Sequence, residues 1–268
     1  MASFGGFQCP SCGARLYVKE ASLCCEKGHT YDVARKGYIH LHHKTVQSSY
    51  GKDLFDARRA VFEAGFYQPV ADAVRALLVP MEPAALLDAG CGEGYYLSSL
   101  SPALPDTLLV GVDLSKEAVL AASSRLGSAL YCVGDLNHLP FQNGVFDVTL
   151  NILSPANYSS FTRVLKKDGC LIKIMPGKEY LKEIRNLLPK AKTGYDDTLV
   201  PEYLRQHMGV HHMERLHYTM PLSPGEYACF IAMTPLTENL TADERNAMLK
   251  IPPDKITIDL QLAVCRNV

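Results

Sequence analysis

Leu86-Leu87-Asp88-Ala89-Gly90-Cys91-Gly92-Glu93-Gly94-Tyr95-Tyr96 is the stretch whose reading decides the fold. An apolar run ends in an acid and then breaks into glycines at every second position. A buried parallel strand hands over to a helix in this way, at the edge of a nucleotide-type pocket. Glycine there lets the backbone come closer to a ligand than any Cβ would allow. The spacing, Asp-x-Gly-x-Gly-x-Gly, differs from the Gly-x-Gly-x-x-Gly of hydride-transfer domains.

The neighbouring sequence repeats the same architecture. Residues 107–113 form a second apolar run ending at Asp113, 25 residues after Asp88. An acid at the end of the second strand can accept hydrogen bonds from both hydroxyls of a ribose. Ser115 is a good N-cap for a helix over 116–125. A third strand, 129–134, ends at Asp135, which could reach an adenine amino group. Strands over 145–150 and 170–175, the latter after a tight turn at 167–169, alternate with helices over 157–165 and 179–188. The strict alternation of Ile256, Ile258, Leu260, Leu262 and Val264 adds a last strand, possible as an antiparallel member of the sheet. The fold class is α/β, with a mostly parallel Rossmann-like sheet and helices on both faces.

Upstream, helical spacing over 53–64 stops at Gly65, and Pro69 opens a second helix with Val70, Val74, Leu77 and Leu78 on one face. Residues 42–52 read as a polar linker. The less regular stretch 189–221 reads as a lid or a substrate-side insertion.

The glycine turn resembles motif I of S-adenosylmethionine (AdoMet) dependent methyltransferases. Each glycine could merely shape a turn, and each Asp could merely cap a helix. The glycine turn together with a strand-end acid 25 residues on, inside repeated βα units, favours AdoMet binding at a site built on Asp88, Gly90, Gly92 and Asp113.

Composition sets the outer bounds. The chain has 268 residues, 47% of them apolar, enough for one sizeable core with an appendage. No run of about 18 apolar residues appears, so no membrane span is expected. The N-terminus lacks the features of a secretory signal. Nine cysteines then argue for a reducing compartment, the cytoplasm, with thiols or metal ligands in preference to disulfides. The net charge of −1 does not by itself announce a nucleic-acid binder. Residues 1–80 nevertheless carry ten Lys and Arg against seven Asp and Glu.

The N-terminus carries a second motif. Cys9-Pro-Ser-Cys12 is a Cys-x2-Cys knuckle, and Cys25-x3-His29 supplies a second half-site. On a small β-ribbon the two halves can meet as a tetrahedral, structural Zn²⁺ site of three Cys and one His. Cys24 competes for the third place, but it alternates with Cys25 and should face away. Residues 31–44 then mix Tyr31 and Tyr38 with Arg35, Lys36, Lys44 and the histidines 40, 42 and 43. That mix suits phosphates and stacked bases, or simply a solvated face. A division follows: a zinc ribbon for RNA recognition over 1–44, and a helical linker with the catalytic domain over 45–268.

In order, the ribbon, Ala34-Arg35-Lys36-Gly37-Tyr38, Asp56-Ala57-Arg58-Arg59-Ala60, Ala64-Gly65-Phe66-Tyr67-Gln68-Pro69 and the glycine turn resemble the bacterial 23S rRNA guanine-N1 methyltransferases of the RlmA type. The likeness spans nearly the whole chain. It implies methylation of a guanosine in a hairpin loop of 23S rRNA near the peptide exit tunnel, with a stem-loop as partner and a homodimer as assembly. Some members affect sensitivity to macrolide-type antibiotics, so antibiotic resistance is among the implied roles. The resemblance also implies AdoMet contacts for Tyr67, Gly92 and Glu93, and for Tyr180, which stands where relatives can carry His.

The acceptor faces the end of the fourth strand in enzymes of this fold. That segment, Asn151-Ile152-Leu153-Ser154-Pro155-Ala156-Asn157, offers no Asp, Glu or His, so the catalytic residue stays unassigned. Cys91 is expected to pack under the glycine turn. Two rival readings share the core motifs: a small-molecule methyltransferase, and a non-catalytic zinc and RNA-binding adaptor. The ribbon argues against the first and the intact glycine turn against the second.

Overall fold

The computed structural model describes residues 4–42, 52–125, 127–188 and 199–267. Three short antiparallel strands, β1 (Tyr17–Lys19), β2 (Ser22–Cys24) and β3 (Thr30–Asp32), form the ribbon. The chain continues through β4 (Ile39–His40), α1 (Lys52–Glu63) and α2 (Gln68–Leu78). Then come β5 (Ala85–Ala89), α3 (Tyr95–Leu100), β6 (Leu108–Asp113), α4 (Lys116–Ala122) and β7 (Leu130–Val133). The second half runs β8 (Phe146–Ile152), α5 (Tyr158–Val164), β9 (Leu165–Pro176), α6 (Lys182–Arg185), α7 (Leu199–His207), β10 (Gly209–Pro221), α8 (Pro224–Met233), α9 (Ala242–Leu249) and β11 (Lys255–Arg266).

The large sheet has eight strands in the order β10-β11-β9-β8-β5-β6-β7-β4. All neighbours from β9 to β4 are parallel, whereas β11 inserts antiparallel between β9 and β10. The order reverses at β5, which lies between β6 and β8. That switch point is where an open α/β sheet leaves a crevice beyond its strand ends.

Local chemistry sets the element ends. Gly65 takes φ +84 and closes the turn after α1. Pro69 lies in the first turn of α2, whose Val70, Ala71, Val74 and Leu78 are buried. The Ser115 hydroxyl accepts from the Ala118 amide and caps α4, which ends at Ala122, short of the expected 125. Asn157 caps α5 in the same way through Ser160.

Two apolar layers sandwich the sheet. One packs α1–α4 and α8 on the face bearing Leu86, Leu150, Ile172 and Ile258. The other packs α5, Leu204 of α7 and the ribbon side chains Phe4, Phe7, Leu16 and Leu23 on Leu87, Val110, Cys132 and Leu171. Ile39–His40 hydrogen-bonds in parallel to β7, so the segment after the ribbon becomes the outermost strand of the large sheet. Phe7 also bridges Phe141.

Three local expectations change. The stretch expected to be a lid or a substrate-side insertion contains, within its described residues, helix α7 and the thirteen-residue edge strand β10. Its alternating Leu216, Tyr218 and Met220, interleaved with His217 and Thr219, follow a run rich in charge and histidine, His211 to Arg215, that hides the strand pattern. The helix expected over 179–188 shrinks to Lys182–Arg185. The turn expected at 167–169 lies inside β9: Leu165 pairs with Phe146 and Cys170 with Val148, so the residues between bulge out opposite Asp147. Residues 43–51 of the expected linker and 189–198 of the expected lid lie outside the described residues.

Candidate functional site

The metal site assembles from turns. Cys9 and Cys12 flank the knuckle, whose Gly13 takes φ +75. Cys25 follows β2, and its carbonyl accepts from the Gly28 amide in the turn that presents His29. Their ligand atoms all lie within 4.8 Å of one another. Cys12 Sγ and Cys25 Sγ are 3.8 Å apart, and His29 Nδ1 is 3.4 Å from Cys25 Sγ and 3.6 Å from Cys9 Sγ. A tetrahedron with Zn–S bonds of about 2.3 Å has sulfur–sulfur edges of about 3.8 Å. The four groups therefore fit Zn²⁺, with Nδ1 as the imidazole donor. Four protein ligands leave no open position, which makes the role structural. Cys24 points elsewhere, with its Sγ 3.5 Å from Thr30 Oγ1. The Tyr31 hydroxyl sits 3.4 Å from Cys9 Sγ and 2.7 Å from Ser11 Oγ.

The cofactor cleft opens at the switch point as a cavity of about 1140 Å³. Its walls come from the ends of β5, β6 and β8, from α1 and from the segment after β9. Gly90, Gly92, Glu93, Asp113, Tyr67 and Tyr180 all line it. Gly90, Gly92 and Gly94 adopt φ +86, +54 and +80, a region that L side chains rarely adopt. Their roles differ. A Cβ on Gly90 would lie 2.1 Å from Ser154 Oγ, so this glycine admits the β8 loop. A Cβ on Gly94 would lie 2.9 Å from that of Ala122. At Gly92, among the described residues, an added Cβ would meet only the flexible Arg58 side chain within 4 Å, leaving backbone open to a ligand.

Asp113 closes β6. Its Oδ2 accepts from the Gly92 amide at 2.8 Å and its Oδ1 from the Ser115 amide at 2.9 Å. Each oxygen keeps a second lone pair for a ribose hydroxyl. Burial raises the Asp113 carboxyl above its ordinary value despite those two bonds. Asp88 lies deeper and does not line the cavity. It is 1% exposed, and Oδ2 has no hydrogen-bond partner among the described residues. Burial, helped by Asp113, pushes it up to about 7. An orphaned carboxyl oxygen behind an acid-tipped, glycine-floored cleft fits a cationic nucleoside such as AdoMet.

Glu93 lines the cleft but is held from behind. Its carboxylate accepts from Arg125 Nη2 at 2.6 Å and lies 3.4 Å from Arg59 Nε. Its side chain therefore anchors the glycine turn to α1 and to the end of α4. Cys91 is buried under the turn, and burial holds its thiol well above the usual range, so it is a packing group. Tyr67 and Tyr180 meet through their hydroxyls at 2.6 Å. Asp135 lines the cleft too, while its side chain accepts from the Asn137 amide.

One cavity residue escaped the sequence reading. Lys173 sits on β9 in register with Asn151 of β8 and is 3% exposed. Its Nζ donates to Asn151 Oδ1 and, at 2.7 Å, to the Ser154 carbonyl. Asn151 is fixed in turn by Nδ2 donation to Ala89 O at 2.7 Å and Pro155 O at 3.2 Å. Leu153, between them, takes φ +49. A lone lysine inside Leu171-Ile172-Lys173-Ile174-Met175 was the available signal. A strand covered on both faces leaves that amine facing the cleft and otherwise surrounded by protein.

The cleft and the fold together define an AdoMet-dependent methyltransferase, carrying a structural zinc ribbon. Residues 86–169 match the methyltransferase domain family, and residues 7–45 match the N-terminal zinc ribbon of the RlmA family. A Bacillus subtilis (strain 168) protein provisionally named a 23S rRNA (guanine-N1-)-methyltransferase is 34% identical over 97% of both chains. The 23S rRNA (guanine(748)-N1)-methyltransferase of Streptomyces fradiae is 29% identical over 97% of this chain and 96% of that one. A malonyl-[acyl-carrier protein] O-methyltransferase of Herminiimonas arsenicoxydans is 38% identical, over 41% of this chain and 44% of its own. The chain belongs to the 23S rRNA (guanine-N1-)-methyltransferase family of the RlmA type.

Proposed function

We propose that the chain transfers the AdoMet methyl to N1 of a guanosine in a hairpin loop of 23S rRNA. The observation that carries this reading is one cavity reaching from Asp113, the acid at the end of β6, to Ser154–Asn157 and on to Tyr158 and Tyr203. Its volume of about 1140 Å³ exceeds what one drug-sized ligand commonly needs, about 300–1,000 Å³. Room remains for a flipped base. The S. fradiae relative, named for guanine-N1 methylation of 23S rRNA, aligns along nearly the whole chain.

AdoMet supplies an electrophilic methyl on a sulfonium. Asp113 holds the ribose, Gly92 offers backbone to the ligand, and Tyr67 with Tyr180 closes one wall. Asp88 contributes negative charge behind the turn. A loop guanosine exposes its Watson–Crick edge without breaking a pair, so flipping costs least there. Alignment of N1 with the C–S bond supplies much of the acceleration.

The ribbon gives the RNA a grip. Arg15, Lys19, Lys27, Arg35 and Lys36 are exposed, and Tyr17, 58% exposed, offers a stacking face on β1. Tyr38, by contrast, is buried, and Lys36 Nζ reaches Ser124 Oγ at 3.1 Å, tying this segment to α4. The proposal extends to a homodimer in the cytoplasm and to the division at residue 44. Among the described residues no helix is long and apolar enough to cross a membrane.

The test is methyl transfer from labelled AdoMet to unmodified 23S rRNA, with the product mapped by reverse-transcription stops and nucleoside mass. One strong stop, with N1-methylguanosine as product, is expected. AdoMet binding without transfer to RNA would defeat the proposal.

A further inference from the structure

The guanine-N1 reading needs a group to take a proton, because N1 of neutral guanine carries hydrogen and has no lone pair ready for attack. The acceptor segment 151–157 supplies none. The geometry points to Lys173 as the general base, its unprotonated Nζ accepting the N1 proton as N1 attacks the methyl carbon. This inference rests on the function proposed above.

Three observations place the amine where the chemistry needs it. Lys173 lines the same cavity as Asp113 and Ser154. Its Nζ is tied to the acceptor segment at two points, Asn151 Oδ1 and the Ser154 carbonyl. Among the described residues it has no carboxylate partner, so no opposite charge holds it in the ammonium form. A neutral amine has two hydrogens and one lone pair, and the two acceptors use both hydrogens. The lone pair is then free. An ammonium would bring a third hydrogen for which the described residues provide no acceptor. Burial alone pulls the Lys173 ammonium down to about 7, so a sizeable neutral fraction exists near neutral pH. The left-handed Leu153 gives the same segment the sparsely populated backbone found at functional sites.

Electrons and atoms balance. The N1–H bond breaks and its proton moves to Nζ. The N1–carbon bond forms while the carbon–sulfur bond breaks, and sulfur keeps that pair as a neutral thioether. The ammonium left behind returns its proton to water once the product leaves.

The groups facing Lys173 are few. Asn151 on β8 and Ala263, its partner on β11, are uncharged. Tyr158 of α5 and Tyr203 of α7 share the cavity, and burial raises Tyr158 to about 12. Among cavity-lining groups, Asp113, Asp135, Arg58 and Arg185 form no hydrogen bond with Nζ.

The experiment compares wild type with Lys173→Met and Lys173→Arg. Met fills the apolar part of the site, and Arg keeps the charge but cannot be deprotonated. Single-turnover methylation of 23S rRNA should fall about 10²- to 10⁴-fold in both variants, with AdoMet affinity within about twofold of wild type. The wild-type rate should climb tenfold per pH unit below about 7 and level above it. A separate readout needs no catalysis: in protein labelled with ¹³C at lysine Cε, one resonance should titrate near neutrality and vanish in Lys173→Met. The inference is overturned by a variant rate within threefold of wild type. It is overturned equally by a wild-type rate rising far past neutrality, or by lysine resonances that all titrate in the ordinary alkaline range. A wild type that makes no N1-methylguanosine would instead sink the functional reading, whatever the lysine titration shows. Should both variants fail to fold, the wild-type pH profile and lysine titration decide the matter.

Discussion

The hydroxyls of Tyr67 and Tyr180 meet at 2.6 Å, although 113 residues separate them in sequence. Tyr67 is 1% exposed just before α2, and Tyr180 follows the Pro176-Gly177 exit from β9. The bond therefore joins the segment leading into the sheet to the segment leaving it, across the cofactor cleft. Tyr67→Phe keeps the ring packing against Phe62, whose centroid is 5.1 Å away, and removes one hydrogen-bonding group. AdoMet affinity should drop about three- to tenfold, in line with a bond worth about 1 kcal/mol. Calorimetric titration checks it. An unchanged Kd with a lower melting temperature would assign the pair to packing alone.

Adjacent cysteines in the ribbon should behave oppositely. Cys25 lies with the other three ligands, whereas Cys24 faces Thr30. Cys24→Ser should retain about one zinc per chain, and Cys25→Ser should lose it. Metal analysis of the purified proteins reads this directly. Phe4 and Phe7 pack with Phe141 and Phe146, with Phe7 and Phe141 centroids 5.5 Å apart. Zinc loss should accordingly lower the melting temperature of the whole protein as well as RNA affinity. AdoMet affinity should change less, because the zinc ligands do not line the cleft.

What the sequence revealed, and what it hid, follows from the range of the interactions. The glycine turn, the strand-end acids, the cap Ser115 and the zinc ligands are local patterns, each within a few residues of its partners or repeated at known spacing. Lys173 and Asn151 were hidden because their meeting depends on two strands 22 residues apart being brought into register. The same holds for Asp259, 1% exposed inside the apolar strand β11, where Arg215 Nε donates to it at 2.7 Å. Residues 189–221 read in sequence as a lid or a substrate-side insertion, which assigns that arginine no place in the sheet. Glu93 shows the converse. Its position in the motif was legible, but its two arginines come from α1 and from the end of α4, and only the tertiary fold aims them at it.

Those two arginines should differ in weight. Arg125 is 14% exposed and bonds both Glu93 oxygens at 2.6 Å, while Arg59 is 37% exposed and reaches one at 3.4 Å. Arg125→Ala strands a carboxylate whose burial already raises it above its ordinary value. It should cost about 3 kcal/mol of unfolding free energy, the magnitude for breaking a buried pair. Arg59→Ala should cost less than about 1 kcal/mol. Urea denaturation of the two variants at one pH gives the comparison, and equal losses would contradict the burial argument.

Asp88 gives stability a pH dependence of defined sign. Burial, which disfavours the anion, pushes its carboxyl up to about 7 in the folded chain, against about 4 for an ordinary aspartate. The folded state thus holds this proton more tightly than the unfolded state. Below about pH 4 the group is neutral in both states and imposes no penalty. Between about 4 and 7 the unfolded chain ionises first, so stability falls as pH rises, and above 7 the full penalty remains. Asp88→Asn cannot ionise. Without AdoMet, it should melt about 3 °C or more above wild type at pH 8, with the gap closing toward pH 4. The same variant should bind AdoMet about tenfold more weakly, since the charge behind the glycine turn is gone. Melting curves at several pH values, with and without AdoMet, separate the two effects. A variant less stable than wild type at pH 8 would mean that Asp88 is ionised and satisfied in the folded protein, and that the orphaned Oδ2 has a partner after all.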